Sequence, residues 1–206
     1  MNADPLTTPH RYSTASRVFA RLLQCFFLAT LVAIGPVAGA TELRLGNAYP
    51  LTFTDVDQHQ LSTSSGQVTI ITVVTRKDEQ KAQAVGDRFS HAYLGDQKYR
   101  LIMLVNFQQK IFPPFRGLVS AVIRHRLDVE AKELQKIYSA KHLNRNPRYD
   151  IFVVPDFDGK AVSQLGIAPT SAEFAVFAFD GRGRLVRRWN EAPSSEALTA
   201  AINEAR

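Results

Sequence analysis

Short apolar runs rich in β-branched residues alternate along this chain with stretches whose apolar positions recur every three or four residues. Val68-Thr69-Ile70-Ile71-Thr72-Val73-Val74 is apolar or β-branched throughout, as in a strand covered on both faces. Tyr99 to Val105 repeats the pattern, Ile151 to Val154 gives a shorter version, and Phe174 to Phe179 a fourth. Pro155 is expected to stop the third of these. Between the first two runs, Ala82, Val85, Phe89 and Tyr93 stand at helical spacing. Thr75 with Asp78 three residues later marks the start of that helix, and Gly95 its end.

The flanks read as hairpins. Leu51 to Thr54 and Gln60 to Ser62 alternate around the polar turn Asp55 to His59. Asp180-Gly181-Arg182-Gly183 is a tight turn between Phe174–Phe179 and the alternating Arg184 to Trp189. Lys160 to Leu165 reads as a short helix ended by Gly166. Pro193-Ser194-Ser195-Glu196 opens a last helix with Ala197, Leu198, Ala201 and Ile202 on one face. Phe112 to Arg148 is a long helical stretch behind the breaker Phe112-Pro113-Pro114-Phe115, with Asp128 as a candidate cap for a second helix inside it. Strands alternating with helices, closed by a hairpin and a helix, predict a three-layer α/β domain.

Residues 1–40 read as a separate unit. Arg11, Arg17 and Arg21 precede the apolar run Cys25 to Ile34, and Ala38-Gly39-Ala40 follows as a cleavage pattern. This is a secretory signal peptide, and it predicts a periplasmic or secreted protein whose mature domain spans residues 41–206. The run is too short for a comfortable transmembrane helix, which takes about 20 residues. Cys25 is the only cysteine, so a mature chain cleaved after about Ala40 carries no thiol.

Charge narrows the partners. The whole chain is +6; from residue 41 onward, 22 Lys and Arg face 18 Asp and Glu, a surplus of four. That surplus is too small and too scattered for a nucleic-acid footprint. The densest basic region runs from Arg124 and Arg126 to Arg145 and Arg148. His59, His91, His125 and His142 fit no metal-ligand spacing, and Asp156-Phe157-Asp158-Gly159 is a turn rather than a calcium loop. No phosphate loop and no nucleophile elbow is present. No metal, no cofactor and no catalytic residue is expected.

Two local patterns carry a family resemblance. One is the hairpin and Gly66 before a β-branched strand that runs into a helix. The other is Gly159-Lys160-Ala161-Val162-Ser163-Gln164-Leu165-Gly166-Ile167 followed by Phe174-Ala175-Val176-Phe177-Ala178-Phe179-Asp180-Gly181-Arg182-Gly183-Arg184-Leu185-Val186. Together they resemble the redoxin branch of the thioredoxin-like superfamily, from about Leu45 to Ala205. The resemblance implies a thioredoxin-like three-layer fold with an N-terminal β-hairpin and a helical insertion at about residues 112–148.

Redox-active members of that family place a cysteine at the start of the first helix, where the helix N-terminus lowers its pKa. Here that slot is Thr75 to Gln80, without a thiol. Their cis-proline position falls near Glu173 or Phe174, and Pro169 lies too far upstream. Thiol–disulfide exchange is therefore argued against. Thr75, Arg76, Lys77 and Asp78 become a candidate anion or ligand site at a helix N-terminus, and Arg124 and Arg126 a candidate partner surface. The expected role is a non-catalytic binding or accessory factor of the cell envelope with an envelope protein as partner. The alternatives are an anionic-surface binder using the basic helical segment, and an enzyme of unrelated chemistry built on Arg76, Lys77 and Asp78.

Overall fold

The computed structural model describes residues 42–206; the segment read from sequence as a signal peptide, residues 1–40, lies outside the described residues. In chain order the elements are β1 (Thr52–Thr54), β2 (Gln60–Ser62), β3 (Val68–Val74), a 3-10 turn (Arg76–Asp78), α1 (Glu79–Tyr93) and β4 (Tyr99–Asn106). Then follow α2 (Pro113–Ala140), a second 3-10 turn (Pro147–Asp150), β5 (Phe152–Asp156), α3 (Lys160–Gln164), β6 (Ala175–Phe179), β7 (Leu185–Trp189) and α4 (Ser195–Glu204).

Five strands form one sheet in the order β5-β4-β3-β6-β7, and β1 and β2 form a separate hairpin. β3 runs parallel to β4 and β4 to β5, whereas β6 runs antiparallel to β3 and to β7. β3 is therefore central, and all seven of its residues are buried. Its alternation divides the core. Val68, Ile70 and Val74 join α1, α2 and α4 on one face, while Ile71 and Val73 join the hairpin residues Phe53 and Leu61 and the α3 residues Val162 and Leu165 on the other. This is the three-layer arrangement the sequence predicts.

Three details differ from, or complete, the sequence reading. The strand of Ile151–Val154 is not stopped by Pro155: β5 continues to Asp156, with Pro155 in register with Val105. β5 is an edge strand, so a residue with no N–H to donate is tolerated there. The helical insertion is the crossover between the parallel neighbours β4 and β5, as parallel strands require. It is also one continuous helix of 28 residues, not two. Pro113 opens it at the first helical position behind Phe112, where a missing N–H costs nothing. Asp128 does not cap a second helix, because its carboxylate is drawn outward to the Arg148 Nε at 3.1 Å and does not compete for the backbone. α1 ends where the pattern placed its stop. Gly95 sits at φ +90°, and a Cβ there would lie 2.4 Å from Leu143 Cδ1, so only glycine fits.

Candidate functional site

The chain leaves β3 at Thr75, at the C-terminal edge of the sheet, where open α/β folds collect their sites. Thr75 and Asp78 are both buried there. Asp78 Oδ2 accepts from the Thr75 backbone N–H at 2.8 Å and from the Thr75 hydroxyl at 2.7 Å. The Asp78 N–H returns to the Thr75 carbonyl at 3.1 Å. The two polar side chains thus satisfy one another and close a 3-10 turn in front of α1. Arg76 and Lys77, between them, are exposed. The structure brings Thr75, Arg76, Lys77 and Asp78 together as the sequence predicts, but the carboxylate faces its own turn.

The segment opposite this turn carries Glu173 and Phe174 where redox-active relatives of the fold place a proline. Phe174 is buried, with the Lys81 ammonium 5.4 Å from its ring centroid. Lys81 also pairs with Glu191 at 2.8 Å. Glu173 accepts from Arg188 at 2.8 Å, and Arg188 reaches Glu42 at 2.7 Å. Asn106, at the end of β4, donates to the Ser171 carbonyl at 3.1 Å. Around the head of α1 stand cations paired to acids and one aromatic ring. A thiolate has no counterpart here.

Arg124 and Arg126 lie elsewhere, on α2. Arg124 donates to the Val56 carbonyl at 2.8 Å, which ties α2 to the β1–β2 turn. Arg126, two residues on, stands roughly 200° further around the helix and is half-buried. In the same turn, ligand-type atoms of Asp55, Asp57 and His59 lie within 4.8 Å of one another. Their bonds are already internal. Asp55 Oδ1 accepts from the N–H groups of Asp57 and His59 at 2.9 and 2.8 Å, its Oδ2 meets His59 Nδ1 at 3.0 Å, and Asp57 pairs with Arg148. The arrangement is a carboxylate-braced turn.

Sequence reasoning missed three features. Arg100 is buried in β4 and donates to the Ser62 carbonyl, to Ser65 Oγ at 3.1 Å and to Thr69 Oγ1 at 3.1 Å, tying the hairpin to the sheet; burial lowers its pKa. A cavity of about 290 Å³ opens at the N-terminal ends of β3 and β4, walled by Tyr93, Tyr99, Tyr149 and Phe152 with Arg145 and Asp150. Asp150 binds both Arg145 and the Tyr138 hydroxyl. Burial and that hydrogen bond push the Tyr138 pKa up. Glu130, on α2, is 4% exposed, and neither carboxylate oxygen has a hydrogen-bond partner among the described residues. Only the basic residues around 145–148 gave a sequence signal for these features. The aromatic walls are scattered over four elements.

No protein-family model matches the chain, and no curated protein matches it in sequence. Solved structures do match in shape. A protein assigned as thiol:disulfide interchange protein DsbE from Chlorobium tepidum superposes with a TM-score of 0.50 at 12% identity, over 80% of this chain and 99% of that one. A peroxiredoxin-like protein from Aquifex aeolicus gives 0.49 at 16% identity, over 82% and 91%. At such identities the likeness concerns the fold alone. The fold is thioredoxin-like, and it is carried by a chain with a single cysteine.

Proposed function

We propose that this thioredoxin-like chain is exported to the cell envelope and acts there without thiol chemistry, as a binding or accessory factor. The carrying observation is the buried Thr75–Asp78 pair at the head of α1. Disulfide exchange needs a thiolate, and a hydroxyl bonded to a carboxylate supplies none at any accessible pH. One cysteine, at position 25, cannot close an internal disulfide. It also precedes the proposed cleavage point. What remains at that pole is a closed turn with Arg76 and Lys77 on its surface, which suits contact with an envelope protein rather than turnover.

Two measurements test this. The full chain should neither speed insulin reduction by dithiothreitol nor consume hydrogen peroxide above the protein-free rate, and Cys25→Ser should behave identically. Turnover above background by the wild-type chain overturns the reading. Export is tested separately: protein recovered outside the cytoplasm should begin near Thr41, and a full-length chain confined to the cytoplasm overturns that part.

A further inference from the structure

α2 is apolar on two opposite faces. Its inner face, centred on Leu127, carries Ile123, Ala131, Leu134 and Tyr138 into the core. At 100° per residue, Leu118, Val122 and Val129 stand roughly 180–220° away from Leu127, on the outside. Leu118 is 66% exposed, Phe115 61% and Phe112, just before the helix, 74%; Val122 and Val129 are exposed as well. Phe115, Leu118, Val122 and Val129 form a continuous stripe, interrupted only by His125. A stripe of this kind on a soluble surface marks a contact.

Its charges say with what. Lys110 precedes the stripe, and Lys132 and Lys136 continue it on the same outer face. Lys110 and Lys132 are exposed and have no ion-pair partner among the described residues. The nearby acids are spent: Asp128 pairs with Arg148 at 3.1 Å and Glu133 with Lys136 at 3.5 Å. A second copy of α2 laid along the stripe would trap Lys132 and Lys136 in an apolar seam, which costs desolvation. At a lipid surface the same side chains reach out to headgroups while their stems stay apolar.

We infer that α2 docks flat on an anionic lipid surface through Phe112, Phe115, Leu118, Val122 and Val129, with Lys110 and Lys132 on the headgroups. Apolar burial and attraction to anionic lipid act together in such a helix. The inference stands apart from the thiol-free reading, and the vesicle experiment below fails or succeeds independently of the thiol assays.

The test places an environment-sensitive fluorophore on Val129→Cys in the full chain carrying Cys25→Ser, with the same label on Ser64→Cys as control. Ser64 is exposed on the loop after the hairpin. Phosphatidylcholine vesicles containing phosphatidylglycerol should blue-shift the label at 129 and leave the label at 64 unchanged. Phosphatidylcholine alone should shift neither, and high salt should reverse the effect. Lys110→Gln with Lys132→Gln should weaken partitioning roughly thirtyfold. Phe115→Ser with Leu118→Ser should abolish the shift, with thermal midpoints unchanged because these positions are exposed. No shift at 129, an equal shift at 64, or a shift indifferent to salt and to the lysines overturns the proposal. A shift in buffer alone that grows with protein concentration also overturns it and assigns the face to a second copy.

Discussion

Glu130 shows how one side chain can set the pH response of a domain. It faces inward on α2 among Leu127, Ala131 and Leu134, with no hydrogen-bond partner on either oxygen among the described residues. Burial pushes its pKa up from 4.5 to about 8, and the charge of Arg148 opposes that only in part. Between those two values the folded chain holds a proton that the unfolded chain has released. Stability therefore falls as pH rises through that window and is lowest above it. Glu130→Gln keeps the shape without the charge. It should leave stability nearly unchanged at about pH 5 and raise it above about pH 8 by on the order of 2–4 kcal/mol. Urea melts of both proteins across that range check this, and parallel pH profiles would show that the carboxylate has a partner after all. The sequence gives little warning here, because a Glu in a basic helix normally faces water.

At the scale of elements, what could be read from the sequence was whatever rested on local rules. Seven strands, the central β3 and the Gly95 stop follow from periodicity and from glycine's freedom at positive φ. The capping signal at Thr75 and Asp78 is also local, and the structure realises it as a mutual hydrogen-bonded pair. Asp78→Ala would leave the buried Thr75 N–H without its acceptor. It should cost about 2 kcal/mol in a denaturant melt, and a ligand site at this turn would instead show unchanged stability with lost affinity. Pro155 was misread as a stop, and Asp128 was a candidate cap that the structure does not use, for one reason. Pro155 and Asp128 look like breakers in isolation, but tertiary context decides both. An edge strand needs no donor at Pro155, and Arg148, 20 residues away in sequence, draws Asp128 out of the helix. No local pattern announces a partner at that distance, just as none announces the wall of a cavity drawn from four elements.

For the whole molecule, the exposed edge of β5 is the liability, and the β1–β2 hairpin manages it. The hairpin packs Phe53 and Leu61 on one face of the sheet, yet its turn wraps around the edge so that Val56 enters the core of the other face. There the Val56 N–H donates to the Val153 carbonyl of β5 at 2.8 Å, and Arg124 fastens the turn by donating to the Val56 carbonyl. Arg148 completes the clasp by holding Asp57 of the turn and Asp128 of α2 together. Arg124 thus contributes a tie between α2 and the hairpin turn. Arg148→Ala should cost about 1–3 kcal/mol, since Arg148 is mostly buried and Asp57 loses its cation. The more discriminating readout is hydrogen exchange. The Val56 amide should lose protection in Arg148→Ala well before amides of β3 do, because the clasp can open without the sheet. If Val56 and β3 lose protection together, the hairpin and the sheet open as one unit, and the edge is held by Phe53 and Leu61 rather than by the charged clasp.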